Sequence, residues 1–158
     1  MPIVALGYMG IRSQALADWS DYAGRLLGMQ KVDSGGGSMA FRMDDWRQRL
    51  VVIDEGGDEF AFMGWQVADP SDLDGMAARI EGAGIAVTEA GRALCDQRFV
   101  ERMIHFDDPD GNRVELFVNP RLATDPFSPG RAIEGFLTGP YGICLLYTSD
   151  AADELRSV

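Results

Sequence analysis

One order of elements occurs twice along this chain, and that repetition constrains the fold more than any single motif. Ile3 to Ile11 (IVALGYMGI) is apolar and β-rich, as a buried strand requires. Leu16, Trp19, Ala23, Leu26 and Leu27 then share one face at helical spacing, and Gly28 stops that helix. Met29 to Val32 predicts a short strand, and Ser34-Gly35-Gly36-Gly37-Ser38 a flexible turn. Met39 to Met43 and Arg49 to Ile53 predict two more strands around Asp44, Asp45 and Trp46. The order is β-α-β-β-β, and it recurs. Glu59 to Val67 is a strand. Asp69-Pro70-Ser71 opens a helix with Asp69 or Ser71 as cap. Leu73, Met76, Ala77 and Ile80 stripe that helix, and Gly82 and Gly84 end it. Ile85 to Thr88 predicts a strand, Arg92 to Arg98 a loop or short helix, and Val100 to Phe106 and Arg113 to Val118 the closing strands.

Local similarity supports duplication. Met9-Gly10-Ile11 resembles Met63-Gly64-Trp65, and each helix exits into glycine and an apolar residue, Gly28-Met29 and Gly84-Ile85. The expected fold class is α+β: two tandem βαβββ modules, residues 3–54 and 58–118, forming one domain over 1–118. The formal net charge of −11 argues against a nucleic-acid or anionic-membrane partner, since both need basic patches. No apolar run is long enough to span a bilayer and no signal peptide is evident, so a cytoplasmic location is expected. Cys95 and Cys144 are too few for a disulfide framework or a zinc site.

The most chemically pointed stretch is FDDPDGNRVELF, Phe106 to Phe117. Asp110-Gly111-Asn112 supplies a tight turn. Beyond it, Arg113, Glu115 and Phe117 point one way and Val114, Leu116 and Val118 the other. A carboxylate at Glu115 on so apolar a strand is costly to bury without a partner, and a divalent metal is one such partner.

Taken together, several stretches carry a resemblance. They are ALGYMGI (Ala5 to Ile11), FRMDDWRQRLVV (Phe41 to Val52), AGIAVTEA (Ala83 to Ala90), HFDDPDGNRVELF (His105 to Phe117) and GFLTGPYGI (Gly135 to Ile143). With the paired modules they resemble the vicinal oxygen chelate superfamily, and within it the N-terminal domain of a type I extradiol catechol dioxygenase of the 2,3-dihydroxybiphenyl 1,2-dioxygenase kind. The resemblance implies two modules packed side by side around a cleft. It also implies an Fe(II) centre of two His and one Glu in a C-terminal catalytic domain, with open positions for catecholate and dioxygen. The N-terminal domain shares the fold without the iron. A small aromatic substrate and a homo-oligomeric parent are implied as well.

Against that pattern, Glu115 takes the position of the ligand Glu, Tyr8 stands where the first His ligand belongs, and Ala61 or Phe62 where the second does. One carboxylate without imidazoles does not hold Fe(II) selectively. Glu115 is therefore expected to be a vestigial, hydrogen-bonded residue, and no catalytic, cofactor-binding or metal site is expected in this chain. His105, the sole histidine, matches no ligand position and reads as structural or surface. Asp44, Asp45, Asp107, Asp108 and Asp110 read as turn and capping acids rather than a Ca²⁺ loop. Trp46, Trp65 and Tyr8 either line an aromatic pocket or, the better reading, sit in the core. Arg92 and Arg98 near Cys95 are expected to depress its pKa, but no nucleophile pattern surrounds it. The Gly-rich segment from Ser34 to Ser38 has no following Lys-Ser/Thr and is not a phosphate loop.

Residues 119–143, with Pro120, Pro126, Pro129 and Gly130, read as a linker toward a catalytic domain absent from this sequence. After Ile143 the segment CLLYTSDAADELRSV departs from the family pattern. It resembles a translated sequencing-adapter peptide, so residues 144–158 are expected to be foreign to the natural protein. The alternative is a genuine short helix, Ser149 to Arg156, capped by Ser149. The functional expectation is the iron-free domain of an enzyme that cleaves bicyclic or aryl-substituted catechols, inactive alone. The second reading is a standalone small-molecule-binding module of the same fold, as in bleomycin-resistance-like proteins. A third, a metal-dependent lyase or isomerase assembled across a dimer, would need ligands from a partner chain.

Overall fold

A computed structural model of the chain describes residues 3–32, 37–139 and 142–143. Most of the Gly-rich turn (Ser34, Gly35 and Gly36), together with Cys144, Ser149 and the rest of the 144–158 tail, lies outside the described residues.

Eight strands form one sheet. They are β1 (Ile3–Arg12), β2 (Gln30–Val32), β3 (Ser38–Arg42), β4 (Leu50–Ile53), β5 (Glu59–Val67), β6 (Thr88–Glu89), β7 (Val100–Asp107) and β8 (Arg113–Pro120). Their order across the sheet is β2-β3-β4-β1-β5-β8-β7-β6. In each half the first strand lies parallel to the last, β1 to β4 and β5 to β8, and the two halves join through the antiparallel pair β1–β5. This is the expected pair of βαβββ modules, related by an approximate two-fold between β1 and β5.

The registers make the equivalence specific. Gly10 opposes Val51 in the first half, and Gly64 opposes Glu115 in the second. Across the join, Tyr8 faces Gly64 and Gly10 faces Phe62. A Cβ on Gly64 would run into the Tyr8 ring, and a Cβ on Gly10 into the Phe62 ring. The repeated Met-Gly dipeptides thus have a packing cause: each glycine clears space for an aromatic ring of the other module's opening strand.

Helices cover the outer face. Helix α1 (Leu16–Trp19) runs directly into a π-helical segment (Ser20–Leu27) that ends at Gly28, whose φ of 87° is left-handed. Ala23, Leu16 and Trp19 pack on Phe41, Leu50 and Val52. The extent matches the sequence reading, but the predicted apolar face does not hold throughout, because Leu26 is 58% exposed. The i→i+5 turns of a π-helix advance each residue by a smaller angle than an α-helix, which carries Leu26 off the buried stripe. Helix α2 (Pro70–Gly82) begins at Asp69, whose carboxylate accepts from the Asp72 N–H at 2.9 Å. Its stripe of Leu73, Met76, Ala77 and Ile80 packs on Ile104, Leu116 and Val118. Strand β6 is shorter and later than predicted: only Thr88 and Glu89 pair with β7, while Val87 turns its side chain onto the α2 core.

On the inner face, Tyr8, Ala61, Phe62, Met103 and Phe117 form a third core. Helix α3 (Arg92–Arg98) closes one end of it through Cys95. Phe99 then turns the chain into β7 with φ 54°, a left-handed conformation unusual for a side chain of that size. The alternation predicted for β8 holds: Glu115 and Phe117 face inward, and Val114, Leu116 and Val118 face α2. Asp108 organises the preceding turn, accepting from the Asp110 and Asn112 amides at 2.9 and 2.8 Å, with Gly111 at φ 84°. Among the described residues no helix is long and apolar enough to cross a membrane.

Candidate functional site

Between the inner faces of the two modules lies a cleft of about 640 Å³. Val51, Ala61 and Phe62 form its apolar floor, Leu94 and Arg98 of α3 one wall, and Arg113 of β8 another side. Directly beneath it, Glu115 is fully buried.

Three donors converge on that carboxylate. The Tyr8 hydroxyl donates to Oε2 at 2.8 Å. Arg98 donates through Nε to Oε2 at 2.9 Å and through Nη2 to Oε1 at 3.2 Å. Arg113 donates through Nε to Oε1 at 3.0 Å. Each oxygen accepts two hydrogen bonds, three of the four from guanidinium. The fold arranges this in three ways. Arg113 and Glu115 are two apart on one strand and so share a face. Helix α3 carries Arg98 over the Phe62 ring, 3.7 Å from its centroid. Tyr8 stacks on Phe117, centroids 5.0 Å apart, which aims its hydroxyl at the carboxylate. Burial pushes the Tyr8 phenol well above its ordinary pKa, and the neighbouring Glu115 charge adds to that, so the hydroxyl keeps its proton.

The approximate two-fold makes Tyr8 equivalent to Phe62 and Glu115 equivalent to Val51. Glu115, Tyr8 and Phe62 (with Ala61 as its alternative) are the positions named in the sequence as places for metal ligands. At the second His position the inward residue is Phe62, which has no donor atom, with Ala61 buried beside it. Among the described residues no group of three His, Cys, Asp or Glu side chains is arranged to hold a metal ion.

His105 pairs with Glu115 in the β7–β8 register. Burial and the adjacent Arg113 charge lower its pKa, so its neutral form is favoured. Asp44 accepts from the Trp46 amide at 3.0 Å and pairs with buried Arg49, whose Nη1 reaches the Gly7 carbonyl at 2.9 Å. Burial opposes ionisation of Asp44, yet the Arg49 hydrogen bonds and charge outweigh it and hold the carboxyl below its usual range. The turn and capping roles read for Asp44 and Asp108 are therefore present. The three aromatics do not form one pocket. Tyr8 and Trp46 both contact Phe117, whereas Trp65 packs on the α2 side of the sheet.

The expectation for Cys95 is overturned. Its thiol pKa is raised, first by burial and then by Glu89. The arginines that flank it in sequence are engaged elsewhere, Arg92 with Asp96 and Arg98 with Glu115. What sequence reasoning missed is the pair of guanidiniums on Glu115. Arg113 was visible as a same-face neighbour, while Arg98 required knowing that α3 folds over the cleft.

Paired βαβββ modules around an open cleft define the vicinal oxygen chelate class of fold. Comparison with known proteins narrows this. Residues 6–55 match the family model described as dihydroxybiphenyl dioxygenase BphC D1. A biphenyl-2,3-diol 1,2-dioxygenase from Sphingomonas paucimobilis is 40% identical over 94% of this chain and 51% of its own length. A 1,2-dihydroxynaphthalene dioxygenase from Sphingobium xenophagum is 39% identical over 92% of this chain and 50% of its own. A solved catechol 2,3-dioxygenase superposes with a TM-score of 0.85 at 38% identity, covering 89% of this chain and 48% of that one. The chain has the vicinal oxygen chelate fold, and over nearly its whole length it is similar to about half of an extradiol dioxygenase. It spans about half the length of the curated relatives it matches.

Proposed function

We propose that this chain serves as the iron-free N-terminal domain of an extradiol dioxygenase that opens a bicyclic or aryl-substituted catechol. The observation that carries the iron-free assignment is the state of Glu115. Both of its oxygens are occupied by hydrogen bonds from Tyr8, Arg98 and Arg113. Two guanidiniums beside the carboxylate repel a further cation, and the matching positions hold a phenol and a phenyl ring instead of imidazoles. The residues do not fit a ferrous ion. Glu115 acts instead as the counter-ion that lets two arginines line a buried face.

The substrate class is supported by relatives named for biphenyl-2,3-diol and 1,2-dihydroxynaphthalene, both bicyclic catechols. In this reading Fe(II) and the catalytic residues belong to a second domain of the same fold, and the assembled enzyme is a homo-oligomer. The segment after β8 supports such an attachment. Arg42 holds Asp125, the Ser128 amide donates to Gln30 Oε1, and Ile143 donates its N–H to Leu6 on β1. The chain is thereby brought back to the edge of β1 next to the join between modules.

The test is direct. The purified chain, given Fe(II), air and 2,3-dihydroxybiphenyl, is expected to form no yellow ring-cleavage product above an iron-only control. Product at an enzymatic rate, lost on Glu115→Gln, would overturn the proposal.

A further inference from the structure

The cleft has unmet donors and a local charge imbalance that the Glu115 network does not resolve. Two arginines, Arg98 and Arg113, face one carboxylate, so the floor of the cleft carries one net positive charge. Arg113 uses Nε on Glu115, but its buried Nη2 has no hydrogen-bond partner. Gln48, 4% exposed and also lining the cleft, has an equally unpartnered Nε2. Buried donors without acceptors are rare and destabilising. Here two of them belong to side chains that line the same cavity. The apolar part of the lining is Val51, Ala61 and Leu94, with the Phe62 ring backed by Arg98, and the further lining cation, Arg12, is paired with Glu59. The acids nearby do not cancel the charge. Asp96 is held by Arg92 and Arg121, while Asp54 and Glu55 are exposed at the rim, where solvent screens them.

We infer that this cleft is a binding site for a flat aromatic monoanion, a ring carrying one carboxylate or phenolate oxygen group. The ring lies along Phe62 and Leu94. After a turn of each side chain, which brings both buried donors to the cleft surface, the oxyanion takes Arg113 Nη2 and the Gln48 amide. One negative charge brings the floor to neutrality. At about 640 Å³ the cleft falls within the roughly 300–1,000 Å³ typical of small-molecule pockets. The chain's net charge of −11 works against long-range attraction of an anion, so selectivity rests on contacts inside the cleft. The site needs neither iron nor a catalytic domain, and so stands independently of the proposed place in a dioxygenase.

The experiment is calorimetric titration of the full chain, metal-free and without oxygen consumption as a readout, against three probes. These are 2-naphthoate, the neutral isostere 2-naphthalenemethanol, and sulfate as an anion without a ring. Naphthoate is expected to bind one to one, at least ten-fold more tightly than either of the others. Arg113→Gln is expected to weaken it ten-fold or more. Because that change also disturbs Glu115, Ala93→Trp serves as the second variant. Ala93 is exposed on α3 at the cleft lining, so the added ring can block the cleft while leaving the carboxylate network intact. It is expected to abolish naphthoate binding at an unchanged Tm. Equal binding of the neutral alcohol, equal binding of sulfate, no binding of naphthoate, or naphthoate binding indifferent to Ala93→Trp would each overturn the inference.

Discussion

Glu115→Gln tests the central electrostatic claim with one atom's change in shape. The substitution leaves an acceptor oxygen for Tyr8 or one arginine, but removes the carboxylate charge that pairs with Arg98 and Arg113. Removing one partner of a buried ion pair costs about 3–5 kcal/mol, because the other charge is left uncompensated. Arg98 is 11% exposed and Arg113 32% exposed, so water reaches part of the second side chain, though not its Nη2, and softens the loss. The lower end, about 3 kcal/mol, is therefore expected. For a chain of this size that corresponds to a fall in Tm of roughly 6–12 °C. Tyr8→Phe removes a single hydrogen bond to the carboxylate while keeping the stack on Phe117, and should cost about 1.5–2 kcal/mol. The double variant should cost less than the sum, since the two groups share one network. Urea unfolding followed by tryptophan fluorescence and circular dichroism measures all three. A Glu115→Gln protein as stable as wild type, or more so, would refute the reasoning. It would mean that the arginines are satisfied without the carboxylate.

The glycines at the module join give a prediction of opposite signs. Gly10→Ala and Gly64→Ala drive a methyl into the rings of Phe62 and Tyr8 and should each cost about 1–3 kcal/mol. Gly75→Ala, in the exposed interior of α2 with open space around it, should stabilise by about 0.5–1 kcal/mol. Thermal unfolding of the three variants checks the contrast. His105 has a folded pKa below its unfolded value of about 6.5. As pH falls through 6.5 the unfolded chain therefore takes up the proton first, and stability declines until the folded value is passed. A His105→Gln protein should show a flatter unfolding free energy between pH 7 and 5, and an unchanged slope would contradict the assignment. Asp44 has the ordinary carboxylate sign. Its folded pKa is depressed, so its stabilisation is present above about pH 4 and is lost as pH falls through the folded value. Asp44→Asn should lower stability at neutral pH by about 2 kcal/mol and remove that part of the acid sensitivity.

How much of this was legible in the chain follows from the range of each interaction. Periodicity is local, so the twice-repeated βαβββ order, the Asp69 cap and the alternation along β8 could all be read from neighbours in sequence. The π-helical widening at Ser20–Leu27 could not, because an α-helical stripe and a π-helical one differ by a small angle per residue. That difference shows only at Leu26, once the helix is laid on β3 and β4. Glu115 illustrates the same divide within one residue. Its need for a partner follows from the apolar strand around it, and Arg113 is available by simple alternation. The sequence argues against a metal there, yet it does not name the partners that replace it, because Tyr8 and Arg98, remote along the chain, reach the carboxylate only through the β1–β5–β8 registers and the path of α3. The Met-Gly repeats carried that information in a form that reads as mere similarity. Each glycine marks where a ring from the other module crosses the join, and the ring that crosses at Gly64 is Tyr8. A duplicated fold that retained a metal would need a ligand there. This one has a phenol whose hydroxyl keeps its proton, and in the proposed reading that exchange, together with the two arginines, makes the ligand position a support for the cleft.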